Sequence, residues 1–305
     1  MNIKKGFITI ATGREEYYQL ASNLLHSYHH FCKEPLPFAV LTDKSNRYTE
    51  EFDDVLILSS KAGNYLDKLE LGEYLPYDIN IFIDSDCLAY GDLNELFAFF
   101  SNADDFSCFG RALPLGDKSG WFEYENLGDL KSKVSYCISL HGGIYYMRKG
   151  NTCQTVFQSA KSLIKDYSKF NFKGNFDTPG DEPLIALSMA LNDCKPVPYN
   201  FNAICCYWEY KNRVKLDIEK GQALISKEPS CHTILLHWGT RYTKTLLYQK
   251  QVEILKLLES NERKNKWLIK ACKAKFNLLI IVEKCTNKLI SARNRILRYI
   301  TRGKV

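Results

Sequence analysis

The chain has 305 residues, with 45% hydrophobic and 25% charged side chains and a formal net charge of +6. That balance excludes a disordered or low-complexity polymer, and the length suffices to bury a sizeable core in one large domain or two small ones. No apolar run approaches the length of a membrane-spanning helix, and the charge is uneven: residues 262–305 hold thirteen Lys or Arg against two Glu, whereas 1–261 hold 28 basic and 33 acidic residues.

In chain order, the basic start Met1–Lys5 is followed by the short apolar run Gly6–Ala11, which reads as a first strand rather than a signal peptide. Eleven scattered cysteines with no Cys-X-X-Cys pair then predict free thiols in a reducing, cytoplasmic setting. Thr12-Gly13-Arg14 is a turn. Over 15–32 an apolar stripe of Tyr17, Leu20, Ala21, Leu24, Leu25, Tyr28 and Phe31 at helical spacing predicts a helix. His26, His29, His30 and Cys32 have a spacing able to hold zinc, but decorating the outside of that helix explains them better. Strands are predicted at 38–42 and 54–58, a helix at 65–75, and a strand through Ile79, Ile81, Phe82 and Ile83. A helix starts at 91–97.

Residues 101–135 show no clean period and predict loops and short strands, a candidate lid. A strand returns at 139–147, with Gly142-Gly143 at its start, where paired glycines permit either close ligand approach or a tight turn. An amphipathic helix is expected at 151–168. The stretch Asp177–Pro183 is a turn capped into a helix at 183–191. A last strand, 233–239, ends on His237, and a helix at 244–260 follows. Alternation of strand and helix predicts a mainly parallel, doubly wound α/β sheet.

The chemistry centres on the strand 79–83, which ends in Asp84-Ser85-Asp86. Alternate residues of a strand face one way, so both carboxylates point at one spot beyond its C-terminal edge, where ligands bind in open α/β sheets. Two hard oxygen ligands there suit Mg²⁺ or Mn²⁺ together with a substrate phosphate. The bland reading is a pair of ordinary turn acids. Asp181 and Glu182 read equally as a general base or as acids in the first turn of a helix. His237 reads as a metal ligand or as a hydrogen-bonded core residue.

The order of these blocks resembles the GT-A glycosyltransferases, most closely glycosyltransferase family eight. The residues that carry the likeness are Thr9–Thr12, Phe82–Asp86 followed by Gly91-Asp92-Leu93-Asn94-Glu95-Leu96-Phe97, the Gly142-Gly143 strand, Asp181-Glu182, and Leu236-His237-Trp238-Gly239. The resemblance covers roughly residues 6–250. It implies a Rossmann-like GT-A fold and transfer of a hexose from a nucleotide sugar, UDP-linked by expectation, to a glycan acceptor such as lipopolysaccharide or capsule. It implies Mn²⁺ (or Mg²⁺) held by Asp84, Asp86 and His237. It implies Ala11 and Thr12 against the nucleoside, Tyr17 stacked on the base, and Lys68 as a cation near the donor. Ser85, His141, Gly142, Gly143 and Gly239 would line the donor site, and Arg241 or Lys244 would touch the diphosphate. Asp181 or Glu182 would be the base of an inverting reaction or would stabilise the charged centre of a retaining one. The chain differs from the family in reading His141-Gly142-Gly143 for Asn-Ala-Gly and Asp181-Glu182 for Asp-Gln.

The expected division is a transferase domain at 1–261 and a basic amphipathic helical tail at 262–305. Basic residues interleaved with Trp267-Leu268-Ile269, Phe276–Val282 and Leu289-Ile290 predict association with an anionic membrane surface at the inner face of the cell membrane, or a helical hairpin packed on the body or forming a dimer. No nucleic acid is expected as a partner, since the tail has no reader motif. The alternatives are a sugar-nucleotide pyrophosphorylase, for which Gly13-Arg14-Glu15-Glu16 is a poor phosphate loop, and a non-enzymatic scaffold that binds membrane or nucleic acid.

Overall fold

A computed structural model describes residues 3–59, 65–170, 172, 179–226, 230–260 and 265–302. The first unit is β1 (Lys5–Ala11), α1 (Glu15–Phe31), β2 (Phe38–Thr42) and β3 (Asp54–Ile57). A 3₁₀ helix at Tyr65–Glu73 stands where an α-helix was expected. Then come β4 (Ile79–Ile83), β5 (Cys87–Ala89), α2 (Leu96–Phe99), β6 (Phe106–Leu113), β7 (Cys137–Arg148), α3 (Asn151–Leu163) and α4 (Asp181–Leu191). The remainder is β8 (Val197–Pro198), β9 (Ile204–Cys206), α5 (Tyr207–Tyr210), β10 (Val214–Asp217), β11 (Gln222–Ile225), β12 (Cys231–His232), β13 (Leu235–His237), α6 (Leu246–Glu259) and α7 (Asn265–Arg302).

The main sheet has seven strands in the order β3-β2-β1-β4-β7-β6-β8. Strands β3, β2, β1 and β4 run parallel, and β7 lies antiparallel between β4 and β6. This is the mainly parallel α/β architecture expected. Each face of β4 feeds a different core, as the two-residue strand period requires: Ile81 and Ile83 pack with Tyr18, Leu24 and Tyr28 of α1, and Phe82 packs with Tyr145 and Leu184 on the α4 side.

Residues 106–113, in a stretch expected to hold loops and short strands, form an eight-residue strand with a buried N-terminal half. Its sequence, Phe-Ser-Cys-Phe-Gly, shows no alternation because both faces are covered. Gly142 and Gly143 lie inside β7 rather than before a strand. The expected last strand, 233–239, is shortened to β13, with β12 lying just before it, and the turn residues Asp177 and Thr178 lie outside the described residues. His26 bonds Glu51 and Glu259, and Cys32 accepts from the Asn94 side-chain amide, so the zinc spacing on α1 holds surface and packing contacts instead.

A second sheet, β5-β13-β9, positions the site. β13 pairs antiparallel with β5, setting His237 opposite Cys87, and parallel with β9, setting His237 opposite Cys206. The backbone N–H of Trp238 donates to the Asp86 carbonyl at 3.1 Å. A histidine 151 positions from Asp86 in the chain is thereby fastened beside it.

Candidate active site

The end of β4 sets the first carboxylates. The Asp84 N–H donates to the Gly143 carbonyl at 3.0 Å, which continues the β4–β7 ladder past Ile83. Asp86 is buried, and its Oδ1 lies 2.9 Å from His237 Nε2, with Asp84 Oδ2 at 3.8 Å from the same nitrogen. Thr240 donates its hydroxyl to Asp86 Oδ2 at 3.2 Å. Gly239, with φ +70, turns the chain between His237 and Thr240, and the Trp208 ring covers it so closely that a Cβ would sit 3.0 Å from two ring carbons.

Lys68, on the 3₁₀ helix, reaches under the same edge. Its Nζ lies 2.8 Å from Asp84 Oδ2 and 3.1 Å from Asp181 Oδ2. Burial alone would lower the Lys68 pKa, but Asp181 and Asp84 outweigh it and hold the ammonium charged. Asp84 goes the other way: burial and the charge of Asp86 raise its carboxyl against the pull of Lys68. Asp86 is lowered, because the His237 imidazole outweighs burial, and His237 is raised in return by Asp86.

Asp181 and Glu182 open α4 and differ in surroundings. Asp181 is buried, paired with Lys68 and bonded by the Tyr145 hydroxyl at 3.3 Å. Glu182 accepts the Gly142 N–H at 2.7 Å, and burial plus the Asp181 charge push its carboxyl up to about 7. The glycine pair of β7 serves these neighbours. A Cβ on Gly142 would lie 2.4 Å from Glu182 Oε1, and one on Gly143 would lie 2.6 Å from His237 Nδ1. The expectation that the glycines admit a ligand is corrected: they admit a carboxylate and an imidazole of the chain itself.

Three cavities meet here. One of about 400 Å³ is lined by Tyr65, Lys68, Asp84, Asp181, Glu182, Trp208, His237 and Arg241 among others. One of about 270 Å³ runs from Asp84 and Ser85 past Lys68 to Thr12, Tyr17 and Tyr65. One of about 700 Å³ lies on the other side, lined by Arg111, Trp121, His141, Tyr199, Cys206, Trp208 and Glu209, and it shares Glu182 and His237 with the first. Of the sequence-predicted residues, Thr12, Tyr17, Lys68, Asp84, Ser85, His141, Asp181, Glu182, His237, Gly239 and Arg241 therefore line these adjoining cavities. Ala11 is 1% exposed and belongs to the core under α1. Lys244 is placed elsewhere, 3.7 Å from Glu16 in a groove between α1 and α6. The register of the loop after His237, where Tyr242–Lys244 form a 3₁₀ turn, carries it away. Thr240, Tyr65 and Trp208 were not singled out from the sequence. Thr240 was findable, two residues beyond Trp238 in the loop that must return past the acids; Trp208 had only its place in an aromatic-rich stretch.

The residues fit a hard divalent ion. Asp86 Oδ1 is buried with no N–H or O–H of the described residues aligned on it, although buried polar atoms are ordinarily bonded. Neighbouring ligands of an octahedral ion of this kind stand about 3 Å apart, which the 2.9 Å between Asp86 Oδ1 and His237 Nε2 matches. Asp86, Cys87 and His237 offer ligand atoms within 4.8 Å of one another. Asp84 Oδ2 is committed to Lys68, so Asp86 and His237 are the firmer pair.

No protein-family model matches the chain, and no curated protein matches it. Solved structures do. The galactosyltransferase LgtC in complex with donor and acceptor sugar analogues superposes with a TM-score of 0.50 at 10% identity, over 81% of this chain and 95% of that one. The apo form of the glycosyltransferase GlyE of Streptococcus pneumoniae TIGR4 gives 0.50 at 15% identity, over 88% of this chain and 64% of that one. Mouse xyloside xylosyltransferase 1 gives 0.49 at 12% identity, over 79% and 99%. The fold is that of the GT-A glycosyltransferases, as the resemblance implied.

Proposed function

We propose that the protein is a metal-dependent glycosyltransferase that moves a hexose from a UDP-sugar to a hydroxyl of a cell-surface glycan. The observation that carries this reading is the 2.9 Å approach of His237 to Asp86 beside a cavity that His237 and Asp84 line. Asp86 and His237, with Asp84 beside them, would hold Mn²⁺ or Mg²⁺, which when bound neutralises charge growing on the departing diphosphate. Tyr17 and Thr12 border the arm of the cavity suited to a nucleoside, and the exposed Arg241 stands at the opening where phosphates would enter. The Lys68 ammonium sits between Asp84 and Asp181 and ties the metal-side acid to the start of α4.

Glu182 is our choice for the residue that meets the acceptor. It borders both the donor cavity and the roomier one, and a carboxyl titrating at about 7 is poised to take a hydroxyl proton near neutral pH. Asp181 Oδ2 is engaged by both Lys68 and Tyr145, and Asp181 acts as a positioning residue. Trp121, Trp208 and Tyr199 give the acceptor side aromatic faces for sugar rings.

Isothermal titration of UDP with and without Mn²⁺ tests the core of this reading. Saturable binding that needs Mn²⁺ and falls at least ~30-fold in Asp86→Ala, about 2 kcal/mol, is expected. Equal UDP affinity with and without metal would reject it.

The basic tail is read as a membrane-surface element, which places the enzyme on the inner face of the cell membrane with a lipid-linked glycan as acceptor. What supports this is the face of α7 turned away from the body, where Trp267, Leu278, Ile281, Val282 and Leu289 are all more than half exposed. No described helix is long and apolar enough to cross a membrane. We retain 1–261 as the transferase domain in this proposal, with the first turns of α7 seated on α6.

A further inference from the structure

The proposed reaction uses one nitrogen of His237 and leaves a neighbouring group of ligands unused. His141 Nε2 lies 2.9 Å from Cys206 Sγ. His141, Cys206 and His237 offer three ligand atoms that all lie within 4.8 Å of one another, and all three residues are buried. The strand pairing makes this a built arrangement: β13 sets His237 opposite Cys206 on β9, and β7 lays the His141 ring 5.2 Å from that of His237. His237 Nδ1 is buried without a hydrogen-bond partner among the described residues, and the bare edge of Gly143 leaves it in reach of the His141 ring.

We propose that His141, Cys206 and His237 form a second metal site, for a thiophilic divalent ion of the zinc class. Two imidazoles and a thiolate are the donor set that zinc takes and that Mg²⁺ and Mn²⁺ do not favour. Zinc bonds of about 2.0–2.3 Å set tetrahedral ligands about 3.5 Å apart. The His141–Cys206 contact therefore opens slightly and His237 closes in. The fourth position faces the cavity of about 700 Å³ that all three residues line, which supplies the path of entry.

The protons balance simply. Cys206 releases its thiol proton to solvent as the Zn–S bond forms. His141 Nδ1 accepts the Gly143 N–H at 3.1 Å, so its ring proton sits on Nε2. On coordination that proton moves to Nδ1 and the Gly143 bond is given up. His237 binds through Nδ1 and keeps its ring proton on Nε2 against Asp86. The thiol proton, with any proton held on His237 Nδ1, leaves to solvent, and affinity rises with pH. An ion here draws on His237, so zinc and the hard ion at Asp86 exclude each other; this consequence alone rests on the proposed function.

The test uses the full chain in a Cys285→Ser background, which removes the one exposed thiol. Co²⁺ is the probe, because a cobalt–thiolate bond gives a near-ultraviolet charge-transfer band. We expect the band to saturate at one equivalent, to be bleached by Zn²⁺, to vanish in Cys206→Ser, and to need at least tenfold more Co²⁺ in His141→Asn. No band in the parent, or parental affinity in either folded variant, overturns the site. Asp86→Ala separates the two readings: it keeps the cobalt band while losing Mn²⁺-dependent UDP binding. Intact Mn²⁺-dependent UDP binding in a parent without the band sinks the zinc site alone.

Discussion

Lys68 is the residue on which the charge balance of the site turns. It faces Asp84 at 2.8 Å and Asp181 at 3.1 Å, and removing it leaves two carboxylates with little water to solvate them. Breaking a buried pair costs about 3–5 kcal/mol. Lys68→Met is therefore expected to lower the melting temperature by about 6–10 °C at neutral pH, and an unchanged melting curve would reject the role. Glu182 gives a second test, with a sign. Its folded pKa of about 7 is above the ordinary carboxylate range, so the folded chain binds the proton more tightly than the unfolded one. Stability from this group is fully present below the unfolded pKa and is lost as pH rises through about 7. In chelator, the wild type is expected to lose up to about 3 kcal/mol relative to Glu182→Gln between pH 4 and 7, less for the solvent contact Glu182 retains. A parallel pH course for the two proteins would place the titration elsewhere. The placement of Asp84 and Asp86 at one sheet edge was legible in the sequence because two acids at a strand end share a direction. The division of labour between Asp181 and Glu182 was not, since it depends on Lys68 and Gly142, which come from elsewhere in the chain.

At the scale of elements, the site is a contact between β7 and β13, and its closeness depends on Gly143. An added Cβ would fall 2.6 Å from His237 Nδ1 and 2.8 Å from His141 Cε1, too near for either ring to stay. Gly143→Ala is expected to cost about 1–3 kcal/mol of stability and to weaken Mn²⁺-dependent UDP binding at least tenfold, both read on one preparation by melting and titration. Wild-type values for both would show that β7 can yield. The strands β1, β2 and β4 were legible because each is a short apolar run between turn signals. β6 was not: its run carries Ser107, Cys108 and Gly110 and ends in the exposed Arg111, so composition resembled loop while tertiary cover made it strand. The 3₁₀ form of Tyr65–Glu73 escaped for a related reason, since its polar residues are spent on Thr12, Asp84 and Asp181 across the cleft rather than on a helical face. Periodicity reports burial along one element. It is silent about which partner arrives from 100 residues away, and that is what fixed His237.

Across the whole molecule, α7 has two apolar faces. One is seated: Ile269 and Phe276 are buried, Lys250 of α6 bonds Asn277 at 2.8 Å, and Lys273 pairs with Asp217 at 2.7 Å and Glu219 at 2.6 Å. The other is bare. At 100° per residue Trp267, Leu278, Ile281, Val282 and Leu289 fall on one stripe opposite Phe276, with Lys266, Lys270, Lys284 and Lys288 along one margin and Lys275 and Arg293 along the other. A helix of 38 residues is about 57 Å long, so the stripe offers a line of apolar side chains edged by cations, which suits an anionic lipid surface. Removing all of 262–305 would also strip Ile269 and Phe276 from the core, so the clean perturbation acts on the bare face alone. Leu278→Asp with Ile281→Asp and Leu289→Asp leaves the seated face intact and is expected to keep the melting temperature. Burying three such side chains is worth about 1.5–3 kcal/mol each, so binding to vesicles containing phosphatidylserine is expected to fall at least ~100-fold. The parent's binding should also weaken with added salt, because charges more than about 8 Å apart are screened at physiological ionic strength. Equal sedimentation of the triple variant and the parent with those vesicles would mean that the stripe faces something other than lipid.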